Sequence, residues 1–271
     1  MKITSVGADH RKRALEVTTP KGTFEPPYAK VGLSRREVLG LLGATAAASF
    51  VGVNANCAPR DDSAPPPPAC VVRPEQTEGP YFLDERHERS DIRTDADDRT
   101  GRSLVLGAPL SLLFRVSRVE GAACRPLPGA IVDLWQCDAF GFYSGFRDRN
   151  GHFDTSGRTF LRGYQVTDEG GQARFTTIYP GWYPGRTVHI HFKVRTPGDG
   201  RSAHEHTSQL YFDDELTDRV HARPPYAEKG RRTRRNDRDG IFRRGGELLM
   251  LDLAEDGEGY AATFDIGLEL S

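Results

Sequence analysis

An all-β domain, an antiparallel sandwich of two packed sheets, is what this 271-residue sequence predicts for the part after about residue 70. Three observations carry that expectation. Short apolar runs recur from Leu104 onward between turn residues, most of them alternate with period two, and no sustained helical periodicity lies between them. The last point argues against a βαβ arrangement.

Taken in order, the chain opens with a segment of different character. Ser34-Arg35-Arg36-Glu37-Val38-Leu39 is a twin-arginine pattern and runs into the weakly apolar stretch Gly40 to Val51. That combination reads as an export signal. The stretch is too short and too rich in Gly and Ala to hold a membrane as a stable span, which takes about 20 apolar residues. Small residues at Val53 and Ala55 suit cleavage before Asn56, and Cys57 raises lipid attachment as the alternative. Residues 1–55 are therefore expected to be a twin-arginine signal peptide. The partner would be the twin-arginine export machinery, and the location periplasmic, extracellular or cell-surface. Residues 56–69, with Pro65 to Pro68, form a Pro-rich extended linker. The sandwich domain is expected over 70–271. Twin-arginine signals accompany proteins exported already folded, often with a cofactor in place, which raises the expectation of a metal enzyme.

Within the domain, Leu110, Leu112, Phe114 and Val116 alternate with Ser111, Leu113, Arg115 and Ser117, and Val188, Ile190, Phe192 and Val194 alternate with His189, His191, Lys193 and Arg195. Both read as half-buried strands. Further strands are predicted over 130–138, 163–167, 173–179, 207–212 and 260–266, punctuated by Pro-Gly, Gly-Gly and Asp-Gly turns. Lys+Arg 37 against Asp+Glu 38 leaves no global field toward nucleic acid or an anionic membrane, so a small molecule is the expected partner. The basic run Arg231, Arg232, Arg234, Arg235, Arg238 reads as a solvated loop. Cys57, Cys70, Cys124 and Cys137 contain no CxxC pair, and in an exported chain an even count favours one or two disulfides.

His189-Ile190-His191 is the sharpest local feature. Two residues apart on a strand, the imidazoles share one face while Val188, Ile190 and Phe192 take the core face, and such a pair can chelate one metal. His204-Glu205-His206 has the same pattern in a Gly- and Ser-flanked stretch and reads as a loop without a ligand role. Upstream lie Tyr179-Pro180-Gly181-Trp182-Tyr183-Pro184-Gly185-Arg186 and Trp135-Gln136-Cys137-Asp138-Ala139-Phe140-Gly141-Phe142-Tyr143-Ser144.

In the order and flanking residues of these motifs, and in Gln76-Thr77-Glu78-Gly79-Pro80-Tyr81-Phe82, the chain resembles the intradiol ring-cleavage dioxygenases, over roughly residues 70–245. The resemblance implies a β-sandwich holding one mononuclear non-heme iron(III) through Tyr143, Tyr183, His189 and His191. It further implies that a catechol-type substrate and O2 react there, with the ring cut between its two hydroxylated carbons to give a cis,cis-muconate-type diacid. Tyr183, matching the axial tyrosine that substrate displaces, would act catalytically, as would Arg186 beside the activated ring and Gln209 in the pocket. Gly79, Pro80 and Tyr81 would line the entrance. Phenolates are hard anionic donors that favour iron(III) over iron(II), and two neutral imidazoles complete a site that soft metals would not prefer. Two departures are visible: no N-terminal helical dimerisation region of the catechol-specific kind, and a short connector from Tyr183 to Arg186. A homo-oligomer remains open. The alternatives are a secreted sandwich that binds an aromatic or carbohydrate ligand without turnover, and a zinc hydrolase built on His189 and His191 with Asp138 or His152.

Overall fold

A computed structural model describes residues 71–84, 86–121, 123–147, 153–196 and 203–270. The expected signal peptide and linker, with Cys57 and Cys70, lie outside the described residues, as does His152.

Two sheets form the domain. In the first, β1 (Pro109–Glu120) is central. One of its edges is shared: β5 (Gln172–Ile178) pairs with Pro109 to Arg115, and β2 (Ala123–Pro126) with Ser117 to Glu120, both antiparallel. Along its other edge runs β9 (Gly259–Glu269), in register from Leu110↔Tyr260 to Val119↔Glu269, followed outward by β8 (Ala254–Asp256). The β1–β9 pairing is parallel, within an architecture that is otherwise the expected antiparallel sandwich among the named strands. Alternation predicts which face is buried but is blind to strand direction, so this could not be read from the pattern. The second sheet has the order β4 (Arg162–Val166), β3 (Ile131–Trp135), β6 (His189–Arg195), β7 (Glu205–Tyr211), antiparallel throughout.

The expected alternation packs the sheets together. Leu110, Leu112, Phe114 and Val116 of β1 and Ala262, Phe264, Ile266 and Leu268 of β9 are buried against Val132, Leu134, Ile190, Phe192 and Val194. Phe114, Phe192 and Phe264 meet with ring centroids 5.4–5.8 Å apart. Strand β6 departs from the half-buried reading. His189, His191 and Lys193, on its other face, are 2%, 1% and 7% exposed, because the segment from Pro74 to Phe82 and the loop around Asp239 lie over that face. A strand buried on both faces in an antiparallel sheet needs partners for its polar side chains. Lys193 finds Glu78, 2.6 Å away; the histidines are considered below.

His206 stands on β7 and is 5% exposed, so His204-Glu205-His206 is not a loop as expected; the motif opens the strand, with Glu205 its first residue. The basic run is the expected solvated loop at Arg231, Arg235 and Arg238, which are exposed, but not at Arg232. Helix α1 (Asp214–His221) starts at Asp213, whose side chain accepts the Leu216 N–H. The Arg232 side chain, 4% exposed, pairs with Asp214 and Asp218 on that helix, and Arg235 reaches the same two carboxylates. The run thus straps a helix that the strand pattern did not announce. Cys124 is disulfide-bonded and Cys137 is a buried free thiol, so the expected one or two disulfides reduce to one. No helix among the described residues is long and apolar enough to cross a membrane.

Candidate metal centre

Two turns and one strand bring the four candidate ligands together. After Trp135 the chain leaves β3, and the Asp138 carboxylate accepts the N–H groups of Phe140 and Phe142 at 2.9 and 2.8 Å. Gly141, at φ +82°, lets this turn close: a Cβ there would overlap the Trp182 carbonyl oxygen. The turn delivers Tyr143, 1% exposed, to the face of β6 that carries the two histidines. Arg162 holds it from behind, donating through Nη2 to the Ser144 carbonyl (2.8 Å) and through Nη1 to the Tyr81 carbonyl (2.6 Å). Asp138 Oδ1 is used in turning this loop, and no cluster of three His, Cys, Asp or Glu side chains suited to a metal exists among the described residues.

The second turn, Tyr179 to Arg186, is pinned to the first by the Gly181 N–H on the Asp138 carbonyl (3.1 Å) and by Lys229 Nζ on the carbonyls of Phe140 and Trp182. It presents Tyr183, whose hydroxyl lies 3.1 Å from His189 Nε2. The Tyr143 and Tyr183 rings meet edge to face at 5.8 Å.

On β6 the two imidazoles do share one face, with Nε2 atoms 3.0 Å apart. His189 Nδ1–H donates to the Thr187 carbonyl at 2.6 Å. That bond fixes the tautomer and leaves Nε2 as a bare lone pair aimed at the phenols. Three polar neighbours crowd this one lone pair: Tyr183 Oη, Arg186 Nη1 at 3.3 Å and His191 Nε2. His191 stacks on Trp135 (5.0 Å, 7°), its partner across β3 and β6, and a Cβ at Gly79 would lie 3.3 Å from its Cε1. Burial pushes His189 down to about 3 and His191 also well below the ordinary imidazole range, so both are neutral donors at pH 7.

Burial likewise raises Tyr143 and, less, Tyr183, which Arg186 offsets in part. The Tyr143 hydroxyl is buried and has no hydrogen-bond partner among the described residues. An orphaned buried hydroxyl costs about 1–3 kcal/mol. The His189 Nε2 lone pair, the His191 Nε2 atom 3.0 Å from it, one orphaned phenol and a second phenol grouped together are what a hard cation would satisfy, and a trivalent cation would reverse the burial effect by favouring phenolate. The donor set fits iron(III).

Arg186 and Gln209 stand beside the four. Arg186 Nη2 donates to Gln209 Oε1 (2.6 Å), and Gln209 Nε2 to the Thr77 carbonyl (2.8 Å). Gln209 is fully buried on β7, opposite His191, so it does not face solvent. Tyr81 stacks on Tyr143 at 4.2 Å and 11° and meets Tyr183 edge on at 6.2 Å, while Pro80 is exposed. Tyr143, Tyr183, His189, His191, Arg186, Gln209, Gly79 and Tyr81 are therefore gathered at this face. Sequence reading missed their supports Arg162, Thr187 and Asp239. Asp239, with no exposed side-chain surface, accepts Arg186 Nε (2.8 Å). Burial alone would raise its carboxyl, but the N–H groups of Phe242 and Thr187, with Arg186, hold it below the ordinary range. No sequence signal marks that residue within Asp237-Arg238-Asp239-Gly240.

Comparison with known proteins places this architecture in a class. The dioxygenase family model (Dioxygenase_C) matches residues 77–222, more than half of the chain. An intradiol ring-cleavage dioxygenase from Tetranychus urticae is 32% identical, with a TM-score of 0.60, over 74% of this chain and 94% of that one. The chain belongs to the intradiol ring-cleavage dioxygenase family. The dioxygenase domain of a dioxygenase and carbohydrate-binding protein fusion from Streptomyces sp. SirexAA-E is 30% identical, with a TM-score of 0.52, over 74% of this chain and 100% of that one. Catechol 1,2-dioxygenase of Candida albicans is 32% identical over 139 residues, 44% of this chain and 42% of that protein. The chain spans about half the length of the first curated relatives it matches.

Proposed function

We propose that this protein is a non-heme iron(III)-dependent intradiol dioxygenase that inserts both atoms of O2 into a catechol-type ring, cleaving it between the two hydroxylated carbons to a cis,cis-muconate-type product. The observation that carries this reading is the convergence of Tyr143, Tyr183, His189 and His191, two of them phenols, with Arg186 alongside. The names of the catechol dioxygenases among its relatives support the substrate class.

When bound, iron(III) supplies Lewis acidity that favours doubly deprotonated catechol and makes its ring reactive toward dioxygen. The chain's own residues do the rest. Tyr143 and the two histidines, each held by packing or by Thr187, define the fixed part of the site. Tyr183 is less buried than Tyr143, so of the two phenols that would hold the iron it would be the one to give way to substrate and accept a proton on its oxygen. Arg186 places a cation where negative charge develops on the ring. Tyr81, stacked on Tyr143, excludes water from that side.

The visible spectrum of the iron-loaded protein tests this, before and after anaerobic addition of catechol. A tyrosinate-to-iron(III) charge-transfer band that shifts with catechol is expected. In Tyr183→Phe the band should weaken, most iron should stay bound and turnover should fall. A colourless protein containing stoichiometric zinc would defeat the reading.

The twin-arginine pattern at Arg35 and Arg36 supports a further part of the proposal, that the folded protein is exported and acts outside the cytoplasm. Replacing both arginines with lysine should leave the protein in the cytoplasmic fraction. Unchanged export of that variant would remove the signal from the proposal.

A further inference from the structure

We propose that Asp239 is the positioning residue for Arg186 and, through Thr187, for His189; this rests on the function proposed above. A carboxylate with no exposed side-chain surface is retained only where its oxygens are fully used. Here one oxygen faces the site and the other faces away. Oδ2 accepts Arg186 Nε and the Thr187 N–H, each at 2.8 Å. Oδ1 accepts the N–H groups of Ile241 and Phe242 at 2.8 and 2.9 Å. The carboxylate is therefore anchored in its own turn and offers a fixed edge to the segment that enters β6.

Two consequences follow from that edge. The guanidinium is gripped at Nε by a charge and at Nη2 by Gln209, which leaves Nη1 directed at His189 Nε2 and the point where the ligands converge. A planar fork held at two positions cannot swing, so the third is aimed without further loss of side-chain freedom. Thr187 is held on both sides as well: its N–H by Asp239, its hydroxyl by Asn236 Oδ1 at 2.6 Å. Its carbonyl is the acceptor that sets the His189 tautomer. One turn, residues 236–242, thus orients both the cation and one imidazole, a relation that outer partners of metal sites commonly have.

Asp239→Asn tests the assignment, since asparagine keeps an oxygen for the Ile241 and Phe242 N–H groups while presenting an amide to Arg186. Expected is a loss of about 10- to 100-fold in kcat, with the chain folded and iron retained, the charge-transfer band shifted as His189 loses its fixed orientation, and the thermal midpoint lowered because a buried ion pair is broken. Added to Arg186→Lys, the substitution should cost less than it does alone, because the cation it positions is already gone and only the route through Thr187 remains. Wild-type kcat, full additivity with Arg186→Lys, or loss of iron and folding in step with activity would each overturn the proposal. An arm independent of turnover uses nitrogen-15 spectra of the full-length protein with gallium(III) in place of iron, or of the protein as purified should it hold no iron. The Arg186 Nε–H signal, identified by its absence in Arg186→Lys, should be downfield and slowly exchanging, and should move upfield in Asp239→Asn. A signal at the position of free arginine in the wild type overturns the positioning role. Absence of ring cleavage by the wild type would instead defeat the proposed function and leave this second arm intact.

Discussion

His191→Ala is expected to yield a folded protein that binds no iron and cleaves no catechol. The imidazole lies between the Trp135 ring and the backbone of Gly79, and its Nε2 stands 3.0 Å from that of His189 on the same face of β6. Its removal takes away a donor and opens space that the second imidazole cannot fill, since His189 is tied to the Thr187 carbonyl. Loss of an outer-shell partner alone costs about 10–100-fold in metal affinity, and loss of a direct donor should exceed that. Iron per chain, measured by metal analysis beside the thermal midpoint, decides the matter. A folded variant with one iron per chain and ordinary turnover would show that His191 is no ligand.

The second large effect concerns Arg186. In Arg186→Met, kcat should fall by about 10²–10³-fold, the range for removing one donor that stabilises developing charge, while iron content and the resting visible band are retained. The contrast with His191→Ala separates a group that acts on the ring from one that holds metal. Steady-state kinetics with metal analysis of the same preparations provide the check: a change confined to KM would assign Arg186 to binding alone. The substitution also leaves Asp239 buried without its cation, so the thermal midpoint should drop as well.

What could be read from the sequence, and what could not, follows from the range of the interactions. The period-two runs announced β1 and β6 because alternation is local, and the HxH spacing put two imidazoles on one face by strand geometry alone. Tyr143 and Tyr183 were found by their motifs; no local rule places two turn tyrosines 40 residues apart against one strand. Gln209 was expected in the pocket, and its register opposite His191 explains why it lies there. Burial of the second face of β6 was invisible because its cover comes from distant segments: Pro74 accepts Ser208 Oγ from 134 residues away. The same holds for Asp239, 53 residues from Arg186. Arg232 was misjudged because clustered like charge usually signals solvent, whereas here Asp214 and Asp218 lie one helical turn apart and accept it.

The parallel register of β1 with β9 bears on how a new chain matures. Arg115 and Asp265, paired at 2.5 Å across those strands, are 150 residues apart in sequence. An end-to-end closure of that span is entropically demanding and gives no contact until it is nearly complete, which is the topology associated with slow folding. During synthesis β1 emerges early and finds β2 and β5, yet its other edge stays open until the last strand arrives. An unpaired edge is a template for association with other chains. The interval of greatest aggregation risk is therefore set by the arrival of β9, and substitutions that weaken that strand should reduce the yield of native protein more than they alter the ring-cleaving centre itself.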